Sequence, residues 1–425
     1  MVDTYGVYTN STPNGAFRGF GTPQVTFAHE SMIDQLADRL SMDPIEIRLK
    51  NGLRTGSTTA TGQVLTDSVG LEETLLRARQ ESGWQTRRQA SQSSETVRRG
   101  IGAATMFYGV SLGAKGWSLD AAAAAAQVHR DGSVSVSIGC TEMGQGAQTV
   151  IAQMAADRLG LSLDRITLLP TDTSRVPDSG PTVASRTTVF SGNAVIDALD
   201  QIGANMAAVA AELLECPPEE VSFQAGQVRG GGRSMPFEEV AEGCYLRNVH
   251  LAAEGWYVSP PCSFDDQTGQ GDAYYVYGYG TQIAEVEVDL ETGRVKVTAI
   301  TAAHDVGRAI NPQGVRGQIE GGVVQGVGYG LLEDFVVASG RIETPDLATY
   351  IIPTSLDIPR IRSIIVEAAS PDGPYGAKGL GEQPIIPTAA AIANAVAHAT
   401  GVRMNTLPIG PEALCRAITG EDDQR

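Results

Sequence analysis

The chain has 425 residues, of which 42% are hydrophobic and 19% are charged, and its formal net charge is −18. A strongly acidic chain with scattered basic residues repels a phosphate backbone, which argues against nucleic acid as a partner. No apolar run reaches the roughly 20 residues that cross a bilayer, and one core rarely grows past about 250–300 residues, so we expect a non-membrane protein with two or more lobes.

The beginning of the chain is predicted to form a strand, a tight loop and two helices. Gly, Pro, Thr and Asn are frequent in residues 1–24, which favours the strand and the loop. Apolar residues at helical spacing predict a helix over residues 25–40. Asp43 as a cap and Pro44 at the first helical position predict the start of the second helix.

A polar segment, residues 85–99, is predicted to be a linker between residues 1–84 and a lobe of residues 100–425. The later lobe contains two predicted β-hairpins, with Gly132 and Gly293 in their turns. Helical spacing also predicts helices over residues 149–159, 192–214, 315–332 and 388–399. Because strands and helices do not alternate regularly, the sequence predicts the α+β class with two mixed α/β lobes.

Cysteine spacing excludes several kinds of metal site. No two of the five cysteines lie at the CxxC spacing of a zinc ribbon, and no group has iron–sulfur spacing. The odd number also argues against a disulfide framework, so free thiols in a reducing, cytoplasmic compartment are expected. The first residues lack the basic and apolar regions of a signal peptide, although a partner chain could carry an export signal.

Four glycine-rich loops precede predicted helices, at residues 141–149, 178–188, 317–326 and 375–384. Glycine lets a backbone approach a ligand closely, and the start of a helix offers free N–H groups in a positive field. Taken alone, the first two loops fit an ordinary turn and a capped surface loop better than a ligand site, and the third fits close helix packing equally well. In the second loop, residues 191–193 are predicted to cap the long helix.

Glu382 is the candidate general base. It is the single carboxylate in an apolar, glycine-rich loop, where poor solvation would favour proton uptake near neutral pH. A helix-capping role is the alternative interpretation. The five histidines are not spaced as metal ligands, and the sequence contains neither a nucleophile elbow nor a dinucleotide-binding fingerprint. His304 and Asp305 end a predicted strand, where a structural hydrogen bond is expected.

Five motifs in a fixed order give the chain its resemblance to a known family. They are AFRGFG with PQ from Ala16, TEMGQGAQT from Thr141, PTVASRTT with SGNAV from Pro181, GQIEGGVVQG from Gly317 and GAKGLGEQP from Gly376. Together they resemble the molybdenum-binding portion of the xanthine dehydrogenase and aldehyde oxidase family. The resemblance covers nearly the whole chain, except the segment near Gln85 and the tail after Thr406.

The resemblance implies a molybdenum ion held by the dithiolene of a molybdopterin, with no protein side chain bound to the metal. In the family, the glutamate matched by Glu382 is the base in the hydroxylation of an sp² carbon with water as the oxygen source. Electrons then pass to iron–sulfur clusters and FAD, which are expected on partner chains, so most of the chemistry belongs to the cofactor. Whether the pterin carries a cytosine dinucleotide stays open.

Individual residues follow from the same resemblance. Gln145, Ser185 and Gln318 match positions that hold the pterin and its phosphate. The residues that line the same loops are Met143, Gly144, Gly146, Ala184 and Thr187. Arg18 matches the arginine beside the molybdenum ligands, and Phe20 matches the aromatic residue that stacks on the substrate ring.

Two departures from the family's pattern bear on the substrate. Tyr108 and Leu112 align with two phenylalanines of xanthine-type enzymes, and the missing second ring puts purine in doubt because one face of a ring sandwich is lost. The carbon monoxide dehydrogenase branch is disfavoured, since its copper-bound cysteine should lie where Gly19, Phe20 and Gly21 stand.

The resemblance also implies that this chain is incomplete as an active site. Residues 1–84 match the C-terminal part of a first molybdopterin-binding lobe and residues 100–425 the second, whereas the family's upstream half is expected on a separate chain. The leading hypothesis is a subunit that hydroxylates an N-heterocycle such as a purine or nicotinate. An aldehyde-oxidising subunit is the nearest alternative. A non-catalytic assembly subunit or a truncated fragment is the alternative of another class.

Overall fold

Two four-stranded β-sheets, each covered by helices, organise the chain. The computed structural model describes residues 5–10, 12–90, 94 and 96–420. The helices are α1 (Thr22–Arg39), α2 (Pro44–Asn51), α3 (Leu71–Ser82), α4 (Trp84–Gln89), α5 (Gly113–Gly116), α6 (Ala147–Arg158), α7 (Thr187–Leu214), α8 (Phe237–Leu246), α9 (Pro312–Leu331), α10 (Thr388–Thr400) and α11 (Pro411–Thr419).

The strands belong to the two large sheets and to two smaller ones. They are β1 (Val97–Gly109), β2 (Ala121–Val128), β3 (Val134–Ile138), β4 (Ile166–Leu168), β5 (Ser222–Gln224), β6 (Gln227–Gly230), β7 (Arg233–Pro236), β8 (Ala252–Val258), β9 (Tyr277–Asp289), β10 (Val295–Asp305), β11 (Val337–Ala338), β12 (Arg341–Ile342) and β13 (Arg360–Val366).

The first large sheet has the order β1-β9-β10-β13. Strand β1 pairs antiparallel with β9 along its whole length, whereas β10 and β13 are parallel. Helix α10 packs closely against β1, because Gly100 and Gly102 leave room for the backbone near Ala395. Helix α3 packs against β9 and β10, so helices cover both faces and bury two apolar cores.

The second large sheet has the order β4-β3-β2-β8 and lies within the chain segment between β1 and β9. The long helix α7 packs on β2 and β8, with α6 beside it. Gly255 on β8 allows this packing, because a side chain there would overlap the backbone of Ala194. The apolar core of this lobe is separate from the two cores of the first sheet.

The predicted class is confirmed, since the chain forms mixed α/β lobes. Both predicted hairpins are present, as β2 with β3 and as β9 with β10. The helices predicted after residue 100 correspond to α6, α7, α9 and α10. Asp43 caps α2 as predicted, because its side chain accepts hydrogen bonds from the N–H groups of Ile45 and Glu46.

Two local predictions are wrong, and a third is not tested as a domain boundary. Residues 5–10 and 12–16 contain no strand and are mostly exposed, while residues 1–4 and 11 of the predicted segment lie outside the described residues. Residues 191–193 do not cap the long helix, because α7 already begins at Thr187. The predicted linker contains most of α4 and the first residues of β1, which Trp84 and pairing with β9 hold in place. Residues 91–93 and 95 of that segment lie outside the described residues, and its role as a boundary between two cofactor-binding lobes stays a prediction.

Helix α1 is the predicted first helix, but it turns its polar side inward. It buries Glu30 and Asp34, while Met32 is 62% exposed and Leu36 is 48% exposed. Arg48 Nε donates to Glu30 Oε2 at 2.7 Å, so an internal ion pair replaces apolar packing at this position. Part of the apolar stripe that predicted the helix therefore lies on its outer face, whereas Phe27 packs against the core of the first sheet.

Candidate active site

The carboxylate of Glu382 lies where three distant segments meet. Its Oε2 accepts a hydrogen bond from the hydroxyl of Tyr108 on β1 at 2.7 Å. Its Oε1 accepts one from the N–H of Gly19 at 3.3 Å. The N–H of Glu382 donates to Ser185 Oγ at 2.9 Å, in the loop before α7. Glu382 thus connects the loop after β13 to three other segments, which contain Gly19, Tyr108 and Ser185.

Arg18 connects the Glu382 loop to helix α9. Its Nε donates to the carbonyl oxygen of Gly381 at 2.7 Å. Its Nη1 donates to Gln325 Oε1 at 2.9 Å and its Nη2 to Gln318 Oε1 at 3.2 Å. Burial lowers the pKa of the Arg18 guanidinium, and the charge of Glu382 opposes that change. A fixed positive group therefore stands beside the candidate base.

The loop before α7 contacts the Glu382 loop through an unusual turn. Ala184 and Ser185 have φ values of 52° and 55°, in the left-handed region that residues with a side chain rarely adopt. The carbonyl of Ser185 approaches Gly379 so closely that a Cβ at position 379 would overlap its oxygen. Buried Arg186 stabilises the turn, because it donates to Asp120 Oδ1 and to the carbonyls of Ser179 and Pro181.

The loop of residues 141–149 is organised by Glu142, which the sequence analysis did not single out. Its carboxylate accepts hydrogen bonds from the N–H groups of Gly144, Gly146 and Gln148, at the start of α6. Burial alone would raise the pKa of Glu142, but these hydrogen bonds together lower it. The expectation of free N–H groups at this helix start is therefore wrong for these three. A glutamate just before two glycines and a helix was the signal that could have revealed it.

Gln145 closes the same loop on itself. Its Nε2 donates to the carbonyl of Thr141 at 2.8 Å, and its Oε1 accepts from the N–H of Met143 at 2.6 Å. The N–H of Thr141 donates to Thr182 Oγ1 at 2.8 Å, which joins this loop to the loop that holds Ser185. The loop of residues 141–149 is thus linked to Glu382 through the loop that contains Thr182 and Ser185.

The structure brings most of the predicted site residues together. Five are joined by direct hydrogen bonds around one loop: Arg18, Tyr108, Ser185, Gln318 and Glu382. Others lie in the segments that these contacts connect: Met143, Gly144, Gln145, Gly146, Ala184 and Thr187. Their binding roles stay predictions. Gly379 and Gln325 were not predicted as site residues, since only the packed structure reveals their contacts.

Within the described residues, Phe20 and Leu112 take no part in the hydrogen bonds that join this cluster. Phe20 is 74% exposed and has a φ of 47°, between two glycines that also have positive φ. The turn therefore holds its ring outward, next to Gly19 and Arg18. Leu112 is half-buried just before α5, and its N–H donates to Asp120 Oδ2 at 3.0 Å. Substrate contact by either residue stays a prediction.

A buried ion pair between Lys378 and Asp305 anchors the Glu382 loop to the end of β10. Lys378 Nζ donates to Asp305 Oδ2 at 2.6 Å and to the carbonyl of Ser68 at 2.7 Å, and both charged side chains are fully buried. The other oxygen of Asp305 accepts from the N–H of Gly307 at 3.0 Å. Burial raises the pKa of Asp305, while Lys378 acts in the opposite direction. The expected structural role at the end of this strand is confirmed.

Replacing Lys378 with Met should destabilise the protein by about 3–5 kcal/mol, because it leaves the Asp305 carboxylate buried without a counter-charge. The double variant Lys378→Met with Asp305→Asn removes both charges and should recover part of that loss. Thermal unfolding of the purified proteins measures both effects. A single variant as stable as the unaltered protein would show that the pair does not hold this loop.

Comparison with known proteins identifies the family. Residues 77–359 match the model of a molybdopterin cofactor-binding domain, and residues 1–52 match a second model with the same description. The chain belongs to the xanthine dehydrogenase and aldehyde oxidoreductase family of molybdopterin-binding proteins. The resemblance found from the five sequence motifs is therefore confirmed.

Three members of the family illustrate how much of them the chain spans. It is 34% identical to a putative xanthine dehydrogenase molybdenum-binding subunit of Escherichia coli (strain K12), over 96% of this chain and 54% of that subunit. It is 34% identical to an aldehyde oxidoreductase of Megalodesulfovibrio gigas, over 97% of this chain and 42% of that enzyme. The crystal structure of quinoline 2-oxidoreductase from Pseudomonas putida 86 superimposes with a TM-score of 0.86 and 29% identity, over 96% of this chain and 53% of that chain. The chain thus spans about half the length of these relatives.

The residues around Glu382 fit molybdopterin, the cofactor in the description of both matching models. The set offers hydroxyl, amide and guanidinium groups on rigid, glycine-lined turns, which suits the polar edge and phosphate of a pterin. In the described ranges no cluster of three or more His, Cys, Asp or Glu side chains could hold a metal ion. None of the helices in those ranges has the length and apolar character needed to cross a membrane.

Proposed function

We propose that this chain forms one half of a molybdopterin active site and that Glu382 is its general base. The observation that supports the proposal best is the arrangement of the Glu382 carboxylate, held by Gly19 and Tyr108 and tied through its backbone to Ser185. A base held on rigid loops at one fixed position is what proton transfer to a bound reactant requires.

The cofactor would be held by the loops that converge on Glu382. The proposed contacts to the pterin and its phosphate are Gln145, Ser185 and Gln318, with Met143, Gly144, Gly146, Ala184 and Thr187 lining the same loops. When bound, molybdenum-molybdopterin supplies a water-derived oxygen and accepts two electrons. Mass spectrometry of the released cofactor distinguishes plain molybdopterin from its cytosine dinucleotide form.

The residues of this chain would orient the reaction and move one proton. Glu382 Oε1 is the proposed acceptor, because its contact with the Gly19 N–H is the longer one and Oε2 already receives the Tyr108 hydroxyl. Arg18 holds a positive charge beside this carboxylate and fixes the Gly381 carbonyl that precedes it. The left-handed turn at Ser185 and the Lys378–Asp305 pair keep the loop from moving away.

The proposed reaction is the oxidative hydroxylation of an sp² carbon in an N-heterocycle. Phe20 supports a flat aromatic substrate, since its ring is exposed beside Arg18 and offers a stacking surface. Relatives are named both for N-heterocycles, such as quinoline, and for aldehydes. Aldehyde oxidation is therefore the alternative activity of the same site.

Steady-state turnover of a substrate panel tests this choice. We expect the native complex that contains this chain to oxidise at least one of quinoline, nicotinate and xanthine faster than benzaldehyde or acetaldehyde, with an artificial electron acceptor present. Heterocycle rates at background beside measurable aldehyde rates would overturn the assignment of the substrate. Background rates on the whole panel, in a complex that contains iron but no molybdenum, would support the assembly-subunit alternative.

The outer face of α1 supports a partner that completes the site. Exposed apolar residues follow one another along this helix and at its C-terminal cap: Val25, Met32, Leu36 and Leu40. Its first turn follows directly on Arg18 and Phe20, so a polypeptide covering this face would also border the active site. We propose that the part of the molybdenum domain found in longer relatives covers it, with iron–sulfur and FAD chains as further partners. A cytoplasmic location is proposed for the complex.

The double variant Met32→Asp with Leu36→Asp should weaken assembly without unfolding this chain. Both side chains are exposed, so the new charges cost little in this chain but are buried when a partner covers α1. We expect a smaller sedimentation coefficient for the purified complex. Leu246→Asp is the control, because Leu246 is also an exposed leucine but lies on α8. An unchanged sedimentation coefficient for the double variant would argue against this interface.

A further inference from the structure

We infer that Tyr108 is a positioning residue for the base Glu382, rather than the substrate contact that its alignment suggests; this inference rests on the proposed function. The phenol hydroxyl donates to Glu382 Oε2 at 2.7 Å. The N–H of Gly19 donates to Oε1 from another segment at 3.3 Å. Each carboxylate oxygen therefore has its own donor, and the two donors together select one side-chain conformation.

The protein scaffold fixes the position of the Tyr108 hydroxyl. Tyr108 lies on β1, in register with Gly278 of β9, within the long antiparallel pairing of the two strands. Its ring packs against a small apolar cluster formed by Met106, Ile385 and Ile386. Two members of that cluster, Ile385 and Ile386, belong to the same loop as Glu382, so the tyrosine ring packs directly against the loop that holds the base.

The hydroxyl remains a donor throughout the physiological range of pH. Burial raises the pKa of Tyr108 far above its ordinary value, and the nearby negative charge of Glu382 raises it further. A protonated phenol beside a carboxylate can only donate, which makes the contact a charge-assisted hydrogen bond. The side chain of Gln383 packs directly against Gly278, where any other residue would clash with it. Gln383, which follows Glu382 in the loop, is therefore also held in place.

Loss of the Tyr108 hydrogen bond should lower kcat and leave KM nearly unchanged. A misplacement of about 1 Å in a catalytic group can reduce the rate by up to roughly 100-fold. Tyr108→Phe keeps the ring and its packing but removes the donor, so Glu382 Oε2 loses one of the two constraints on its conformation. We expect kcat to fall at least fivefold, KM to change less than threefold, and molybdenum content to stay the same.

The matched control is a second tyrosine–glutamate pair outside the site. Tyr350 donates to Glu333 Oε2, also at 2.7 Å, after the end of α9. Tyr350→Phe removes the same chemical group and an equally short hydrogen bond. It should leave kcat within twofold of the unaltered complex, which separates positioning of the base from a general effect of losing a buried hydroxyl.

A double-mutant cycle with Glu382→Asp separates positioning from substrate contact. The shorter Asp side chain withdraws from the tyrosine hydroxyl, so adding Tyr108→Phe should then change kcat less than twofold. The cycle is measured on the native complex, with whichever of quinoline and benzaldehyde is turned over faster in the substrate panel. Thermal unfolding gives an independent readout, and we expect Tyr108→Phe to lower the midpoint by about 1–3 °C in molybdenum-depleted protein.

The outcomes that overturn the inference differ from those that overturn the proposed function. A kcat reduction below fivefold, a KM rise of threefold or more, or an effect that persists when Glu382→Asp is already present would each reject positioning by Tyr108. Loss of molybdenum in Tyr108→Phe would reject it as well, because it would assign the residue to cofactor retention. Full activity of Glu382→Gln would reject the proposed function itself.

Discussion

Glu382→Gln is expected to lower turnover by roughly 10²–10⁴-fold, the contribution typical of a general base. The amide has nearly the same shape as the carboxylate but cannot take up a proton at neutral pH. The backbone N–H of residue 382 still donates to Ser185, so the loop should keep its position. Molybdenum content per chain, measured by inductively coupled plasma mass spectrometry, should therefore stay within error of the unaltered protein.

The control for this variant is Glu333→Gln, which removes another half-buried carboxylate that accepts from a tyrosine. It should retain nearly full turnover. If Glu382→Gln keeps more than about a tenth of the activity at equal molybdenum content, Glu382 is not the base. If both variants lose activity together with molybdenum, the effect of Glu382 is on assembly.

Gly379→Ala is expected to displace the turn that holds Ser185 and so to weaken cofactor binding. A methyl group at position 379 would overlap the carbonyl oxygen of Ser185, so the turn at Ala184 and Ser185 must move. Forcing one methyl into a packed contact usually costs about 1–3 kcal/mol. Since that turn is a proposed pterin contact, we expect molybdenum and pterin content to fall at least tenfold, with activity falling in proportion.

Gly381→Ala is the matched control in the same loop. Its Cβ would lie 3.7 Å from Ser185 Oγ, an ordinary van der Waals distance. It should retain cofactor and unfold at nearly the same temperature as the unaltered protein. Full cofactor content in Gly379→Ala would contradict the proposal that the Ser185 turn binds the pterin.

The sequence was a good guide where local signals determine the structure. Asp43 and Pro44 mark the start of α2, and glycine turns mark the hairpins, because capping and turn conformations depend on neighbouring residues. Glu382 became a candidate as the single carboxylate of an apolar, glycine-rich loop, and the family resemblance then matched it to a general base. The motif order then connected it with Ser185 and Gln318, which the structure places in one network.

The remaining features depend on contacts between distant residues. Helix α1 has an ordinary helical pattern, but buried pairs with Arg48 and Arg403 turn its acidic side inward. The need for glycine at position 379 follows from a contact with Ser185, almost two hundred residues away in the chain. The Lys378–Asp305 pair likewise joins the end of β10 to the Glu382 loop, which no local pattern connects. Such features arise from packing, so no local propensity encodes them.

The central claim is that loops from distant parts of the chain surround one molybdenum-bearing cofactor, with Glu382 on its open side. Anomalous X-ray diffraction at the molybdenum edge, on crystals of the native complex, tests it most directly. We predict one strong molybdenum peak beside the Glu382 carboxylate, with pterin density against the segments that hold Gln145, Ser185 and Gln318. A molybdenum peak remote from Glu382, or no peak in a complex that turns over substrate, would contradict the proposal.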